Sequence, residues 1–449
     1  MAKLWQKQYS LDKLIERYTV GEDYLLDSQL VYFDALASLA HADMLNKAGL
    51  LPDSDFAELK NALCELVGLI ESGRFSIRPE DEDGHTAIEN WLVDKTGEAG
   101  KKIHTGRSRN DQVLVALRLF MKHSVFELLG VIFSLTDVLV SRAKELADVP
   151  MPGRTHMQIA MPSSCGLWMA AFAEELADVA RLLWAFYPLV DQNPLGAAAS
   201  YGVPLPLDRE YTASLLGFSS VQNNVLYANN SRGKFESIFT DLCEQVMLTL
   251  SKMAQDLILF SLPEFGYFKL PPELCTGSSI MPQKQNPDGL ELMRAKSASV
   301  ASFSMQIKGI IRSLPSGYNR DFQETKGPFM RAVGVTLDSV RVMERTISLL
   351  EIFPDNLKKG FSREIFATDE AYRLVREGMS FRDAYRKVAL DLDKVAEKDP
   401  SESIRERKYP GTTGNLNLDF VEQRLDSLKQ KVLPAKDAFE KALSSLVSS

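Results

Sequence analysis

The 449-residue chain is poor in cysteine, lacks extended Lys/Arg runs, and contains no uninterrupted apolar stretch of bilayer length. Its four cysteines, Cys64, Cys165, Cys243 and Cys275, form no C-x-x-C pair. This argues against a disulfide framework and for buried thiols in a reducing compartment. The formal net charge is −8 with a pI near 5.4. With no basic tract to grip a phosphate backbone, nucleic acid is not an expected partner. The longest uncharged apolar runs, 128–136 and 182–190, fall far below the ~20 residues of a membrane crossing, so no membrane partner is expected. The first residues, MAKLWQKQYSLDKLIERY, carry charges throughout and show no apolar signal core, which sets the expectation of a cytoplasmic protein. The 20 prolines and 26 glycines form no low-complexity tract.

What is present favours helix. Long proline-free stretches rich in Leu, Ala, Met, Glu and Lys dominate, and strand signals are sparse. The clearest helix is predicted over 110–148, closed by Val149-Pro150, with a length on the order of 55–60 Å. Apolar residues nearly encircle it, so it must be buried on several sides. Further helices are predicted over 163–190, 235–262, 289–314 and 326–351. Together they give an all-α fold with a central bundle of five long helices (110–352), flanked by an N-terminal helical domain (1–109) and a C-terminal one (353–449) with its own pattern at 368–397. Helices apolar on more than one face call for self-association.

The connections between the helices are more unusual than the helices, and loops on a rigid scaffold tend to carry sites. One is Thr276-Gly277-Ser278-Ser279-Ile280-Met281-Pro282-Gln283-Lys284-Gln285-Asn286-Pro287-Asp288, glycine at its base and proline at its end. A second is Lys102-Ile103-His104-Thr105-Gly106-Arg107-Ser108-Arg109-Asn110-Asp111-Gln112, in which Asn110 or Asp111 is expected to cap the long helix, and Arg107 and Arg109 to clamp a carboxylate. Gly153-Arg154-Thr155-His156-Met157-Gln158 follows, with a histidine suited to carrying protons near neutrality. The fourth is Gly317-Tyr318-Asn319-Arg320-Asp321-Phe322-Gln323-Glu324-Thr325-Lys326.

The first of these segments resembles the GSSxMPxKxNP pattern of the fumarase/aspartase superfamily. The second resembles the HTGRSRNDQ string of the argininosuccinate lyase family within it. The third and fourth are similar to that family's G-x-T-H-x-Q and YNRDxQ-x-x-K, and shorter matches, such as Glu82-Asp83-Gly84-His85-Thr86-Ala87, spread the likeness over most of the chain. The resemblance implies β-elimination of argininosuccinate to arginine and fumarate through an aci-carboxylate intermediate, with no metal or organic cofactor, in a homotetramer whose sites are shared between subunits. It implies Ser278 as base, His156 as acid, Glu291 as the carboxylate polarising that histidine, and Lys284 and Asn286 as stabilisers of the intermediate. It further implies Asp83, Ser108, Arg109, Asn110, Thr155, Tyr318, Gln323 and Lys326 as substrate contacts.

Some positions depart from the family pattern. Gln285 stands where a second lysine is common, Arg154 where an aromatic is usual, and Ser231-Arg232-Gly233-Lys234 replaces a more acidic stretch. Gly21-Glu22-Asp23-Tyr24 holds no match to a substrate-contacting serine. Rival readings are a lyase acting on malate, aspartate or adenylosuccinate, against which the 107–112 string argues, and a non-catalytic structural protein, against which the joint presence of His156, Ser278, Lys284 and Glu291 argues. A metal site from Asp83, His85 and His104 is rejected, since neither histidine has a second ligand at helical spacing.

Overall fold

The computed structural model describes residues 12–448. The charged N-terminal stretch read above for a signal lies mostly outside this range. The chain folds into helices α1 (Lys13–Val20), α2 (Asp23–Asp27), α3 (Val31–Lys47), α4 (Asp53–Glu71), α5 (Gly84–Thr96), α6 (Arg109–Glu145), α7 (Cys165–Val190), α8 (Arg209–Leu215), α9 (Val225–Asn230), α10 (Lys234–Phe260), α11 (Asp288–Ile311) and α12 (Lys326–Leu349). After these come α13 (Pro354–Lys359), α14 (Ala367–Arg376), α15 (Phe381–Leu390), α16 (Pro400–Arg405) and α17 (Leu418–Ser448). The five predicted long helices are α6, α7, α10, α11 and α12, each within three residues of its expected ends.

Side-chain pairs fix the direction of each helix. Arg118 on α6 donates to the Gln192 carbonyl just past α7 at 3.0 Å, so α6 and α7 run antiparallel. Trp168 at the start of α7 donates to Asp256 at the end of α10. Arg294 at the start of α11 meets Gln255 at the end of α10. Phe120 and Phe239 both pack on Phe329, which aligns α12 with α6 and α10. One end of the bundle therefore gathers the N-termini of α6, α10 and α12. The opposite end gathers their C-termini together with the N-termini of α7 and α11.

Helix α6 has the length and apolar composition of a membrane span, and its surroundings explain that composition. Of its 37 residues, 24 are buried within this one chain, against α3, α7, α12 and α17. Its N-cap differs from the expectation. Ser108 is the cap, its Oγ accepting from the Asn110 N–H at 3.2 Å, while Asp111 reaches back to the Ser108 N–H at 2.8 Å to complete a capping box.

Two further features were not foreseen. The link after α6 is an antiparallel hairpin, β1 (Pro150–Thr155) and β2 (Gln158–Ser164). The predicted 368–397 helix is broken into α14 and α15 at Gly378, whose φ of 100° no helix accommodates. Residues from Ile365 to Val395 form a small hydrophobic core of their own. Helix α17, which the sequence reading did not single out, belongs to the main core, with Phe439 against Phe126 and Lys429 on Asp137.

Candidate active site

At the N-terminal end of α6 lies a cavity of about 210 Å³. Six residues anticipated from sequence line it: Asp83, Arg109, Asn110, Tyr318, Gln323 and Lys326. They come from three segments: the α5 cap, the first turn of α6, and the 318–326 stretch that opens α12. Asp83 caps α5, accepting from the Thr86 N–H at 2.8 Å. Asn110 sits in the first turn of α6, and Lys326 opens α12. Asp111 ties the start of α6 to the 196–198 loop: its second oxygen accepts from the Gly196 and Ala198 N–H groups, both at 3.0 Å. Gly196 (φ 83°) must be glycine, because a Cβ would lie 2.9 Å from Arg209 Cγ.

The cavity is densely and oppositely charged. Lys326, 2% exposed, has its Nζ 2.6 Å from Asp27 and 2.9 Å from Asp23. Burial pulls its pKa down, but these two carboxylates outweigh burial and hold it above the ordinary lysine value. Burial works the other way on Asp23, whose pKa is raised. Arg109 reaches Asp83 at 3.3 Å and Thr86 Oγ at 2.8 Å. Asp83 loses part of its charge stabilisation to burial, yet the His85 and Arg109 charges and the Thr86 N–H keep it below the ordinary carboxylate range. His85, also in the cavity lining, is 2.5 Å from Asp34. Burial opposes its charge, but Asp34, with Asp83 and Asp27, raises its pKa to about 9. His104 takes a different carboxylate, Glu89, at 2.7 Å. His85 and His104 thus engage separate carboxylates.

Two residues stand apart from this lining. Arg107 does not join Arg109 in a clamp: it is buried under α3, donating to Ser38 Oγ at 3.0 Å. Ser108 spends its hydroxyl oxygen on the helix cap and is not in the cavity lining. Conversely, sequence reasoning did not assign Asp23, Asp27 or Arg232 to the site, and all three line the cavity.

The remaining residues lie at the opposite end. Thr155 and His156 are exposed on the β1–β2 hairpin, and His156 and Met157 occupy its turn with φ of 52° and 63°. A side chain pays strain in this left-handed region. The Ser278 loop is closed at its base by paired backbone bonds between Thr276 and Asn286, at 3.1 and 2.8 Å, and residues 279–285 are exposed. Ser278 Oγ accepts from the N–H groups of Met281 (3.2 Å) and Ile280 (3.4 Å), dipoles that favour an anionic oxygen. Lys284, Asn286 and Glu291 share a second depression of about 510 Å³. Among the described residues no hydrogen bond or ion pair joins His156 to Glu291 or to the Ser278 loop. Helix α6 alone, at 37 residues, separates the hairpin from the cavity by roughly 55 Å.

Comparison with known proteins bears on this division. A lyase family model matches residues 3–302. The argininosuccinate lyase of Thermotoga neapolitana is 45% identical over 387 residues, covering 86% of this chain and 97% of that protein. That of Sorangium cellulosum is 43% identical, covering 94% and 98%. Among solved structures, EDDS lyase in complex with formate superposes with a TM-score of 0.82 at 22% identity, covering 98% of this chain and 95% of that one. The class II fumarase from Schistosoma mansoni gives 0.72 at 17% identity, with 88% and 95% covered. These two share the fold. Its sequence relatives go further: the chain belongs to the argininosuccinate lyase family of the fumarase/aspartase superfamily.

Proposed function

We propose that this lyase cleaves argininosuccinate to arginine and fumarate in a homotetramer whose sites each combine residues from several copies. The observation that carries the reading is the separation of two complementary groups of residues along one rigid bundle. The charged cavity holding Lys326, Arg109 and Asp83 suits a zwitterionic, polycarboxylate substrate. Ser278, Lys284, Glu291 and His156 suit proton transfer, and they lie a full α6 length away, or nearly so. Only another copy can bring the second set to the first.

In the proposed reaction, Ser278 takes the proton from the succinyl carbon next to a carboxylate. The electron pair passes into that carboxylate, where Lys284, Asn286 and Asn110 at the α6 N-terminus stabilise the aci form. The pair then returns to form the C=C bond as the adjacent C–N bond breaks. His156, oriented by Glu291 of whichever copy faces it, supplies a proton to the departing guanidino nitrogen. Thr155 adds a donor to a substrate carboxylate. The two N–H groups on Ser278 Oγ support a serine acting as base.

The test is fumarate formation, followed by absorbance, from argininosuccinate, malate, aspartate and adenylosuccinate supplied separately. Turnover of argininosuccinate alone, lost in Ser278→Ala, is the expected result. Turnover of another succinyl compound moves the substrate assignment, and a fully active Ser278→Ala overturns the base.

A further inference from the structure

Arg232 stands between α9 and α10, where the sequence departs from its family's acidic pattern. It is 5% exposed and lines the cavity. Its guanidinium donates no hydrogen bond to protein among the described residues, and its Nε is fully covered without a partner. The other cations of the cavity are engaged: Lys326 by Asp23 and Asp27, Arg109 by Asp83 and Thr86, Arg320 by the Thr19 carbonyl. A buried guanidinium without an acceptor is costly, and the deficit is made good when a ligand oxygen arrives.

The position is rigidly set. Gly233, with φ of 77°, turns the chain into α10, and a Cβ there would lie 2.4 Å from Ile311 Cγ2. The guanidinium carbon sits 5.8 Å from the Tyr318 ring centre and 6.0 Å from that of Phe322. Ring faces at this range hold a planar cation while leaving its in-plane N–H groups free to donate. Asp23, also in the lining, offers the opposite charge. An arginine donor fork and a carboxylate in one cavity match an α-amino acid head.

Resting on the proposed function, we infer that Arg232 binds the α-carboxylate at the amino-acid end of the substrate, with Asp23 receiving the α-ammonium, and so selects for an intact amino acid there. The experiment compares L-arginine with agmatine, the same molecule without its α-carboxylate, as inhibitors of argininosuccinate cleavage in the wild type, Arg232→Gln and Arg232→Lys. Wild type is expected to prefer arginine over agmatine by about 10- to 100-fold, the worth of a charge-assisted contact. Arg232→Gln loses that preference and raises KM by a similar factor, with kcat and fumarate inhibition far less affected. Arg232→Lys keeps part of the preference, and it decides the matter if the glutamine variant melts early. A purely structural role moves the arginine, agmatine and fumarate constants together and overturns the inference, as does an unchanged arginine-to-agmatine ratio in a folded variant. Wild-type protein that does not cleave argininosuccinate overturns the functional reading, and this inference with it.

Discussion

At the scale of single residues, His85 connects stability to pH. Its pKa is raised to about 9 against an ordinary ~6.5. The stabilisation from its pairing with Asp34 is therefore fully present below about pH 6.5 and lost as pH rises through 9. Asp34→Asn, which strands the buried imidazole, is expected to cost about 3–5 kcal/mol at pH 6.5 and distinctly less at pH 9.5. Urea melts at both values check this, and an equal loss at both contradicts it. His85 and its partner also show where legibility in sequence stops. Asp83, Arg109 and Lys326 stood in recognisable strings, so their place in the cavity was anticipated. Asp23, Asp27 and Arg232 carry no such string. Their place in the site exists only because α2, the α9–α10 junction and the start of α12 converge, a relation between segments some 200 and 300 residues apart. The same holds in reverse for Arg107, which reads like a clamp beside Arg109 but points to Ser38.

At the scale of elements, the capping box of α6 separates two kinds of support. Ser108→Ala removes one N-terminal acceptor and should cost about 1 kcal/mol. Asp111→Ala removes the other half of the box and also frees the Gly196 and Ala198 N–H groups, so it should cost at least about 3 kcal/mol. Denaturant titration of both variants tests the ranking; an equal loss would mean that Asp111 serves only the helix. The long helices were readable because composition and period agree over 24 or more residues in each. The β1–β2 hairpin was not, because Pro150, Pro152, Pro162 and Gly153 obscure any alternation, and its turn uses His156 and Met157 where sequence patterns look for Asn-Gly. The positive φ of both turn residues is the geometry a two-residue hairpin turn needs, and Arg154 donates to the Met157 carbonyl at 3.2 Å.

For the whole molecule, the proposed assembly is best tested on α11. Its outward face aligns Leu292 (57% exposed), Ala295, Ser299, Ser302 and Met305 (75% exposed), a stripe of small and apolar residues that permits close helix approach. Met305→Arg is expected to yield smaller species by light scattering, with activity lost although the helical circular dichroism persists; an active assembly of unchanged size would remove this face from the interface. The proposed sharing of sites makes a second prediction. Lys326→Met and Ser278→Ala, each inactive alone, should regain up to about a quarter of wild-type activity when co-refolded, because random mixing leaves that fraction of sites with both contributions intact. No recovery would place both residues in one chain's site. Self-association was expected from the apolar girth of the helices, whereas the faces that would pair depend on a surface that only the folded chain presents.

In the proposed assembly the opposed ends of the bundle also govern how activity arises in time. With sites shared as proposed, a freshly folded chain holds every catalytic part and no complete centre, so folding alone would produce no turnover. Activity after dilution from denaturant should lag behind the recovery of helix, and the lag should shorten as protein concentration rises. In that proposed assembly the reaction is switched on by encounter, and the number of copies present sets when catalysis begins.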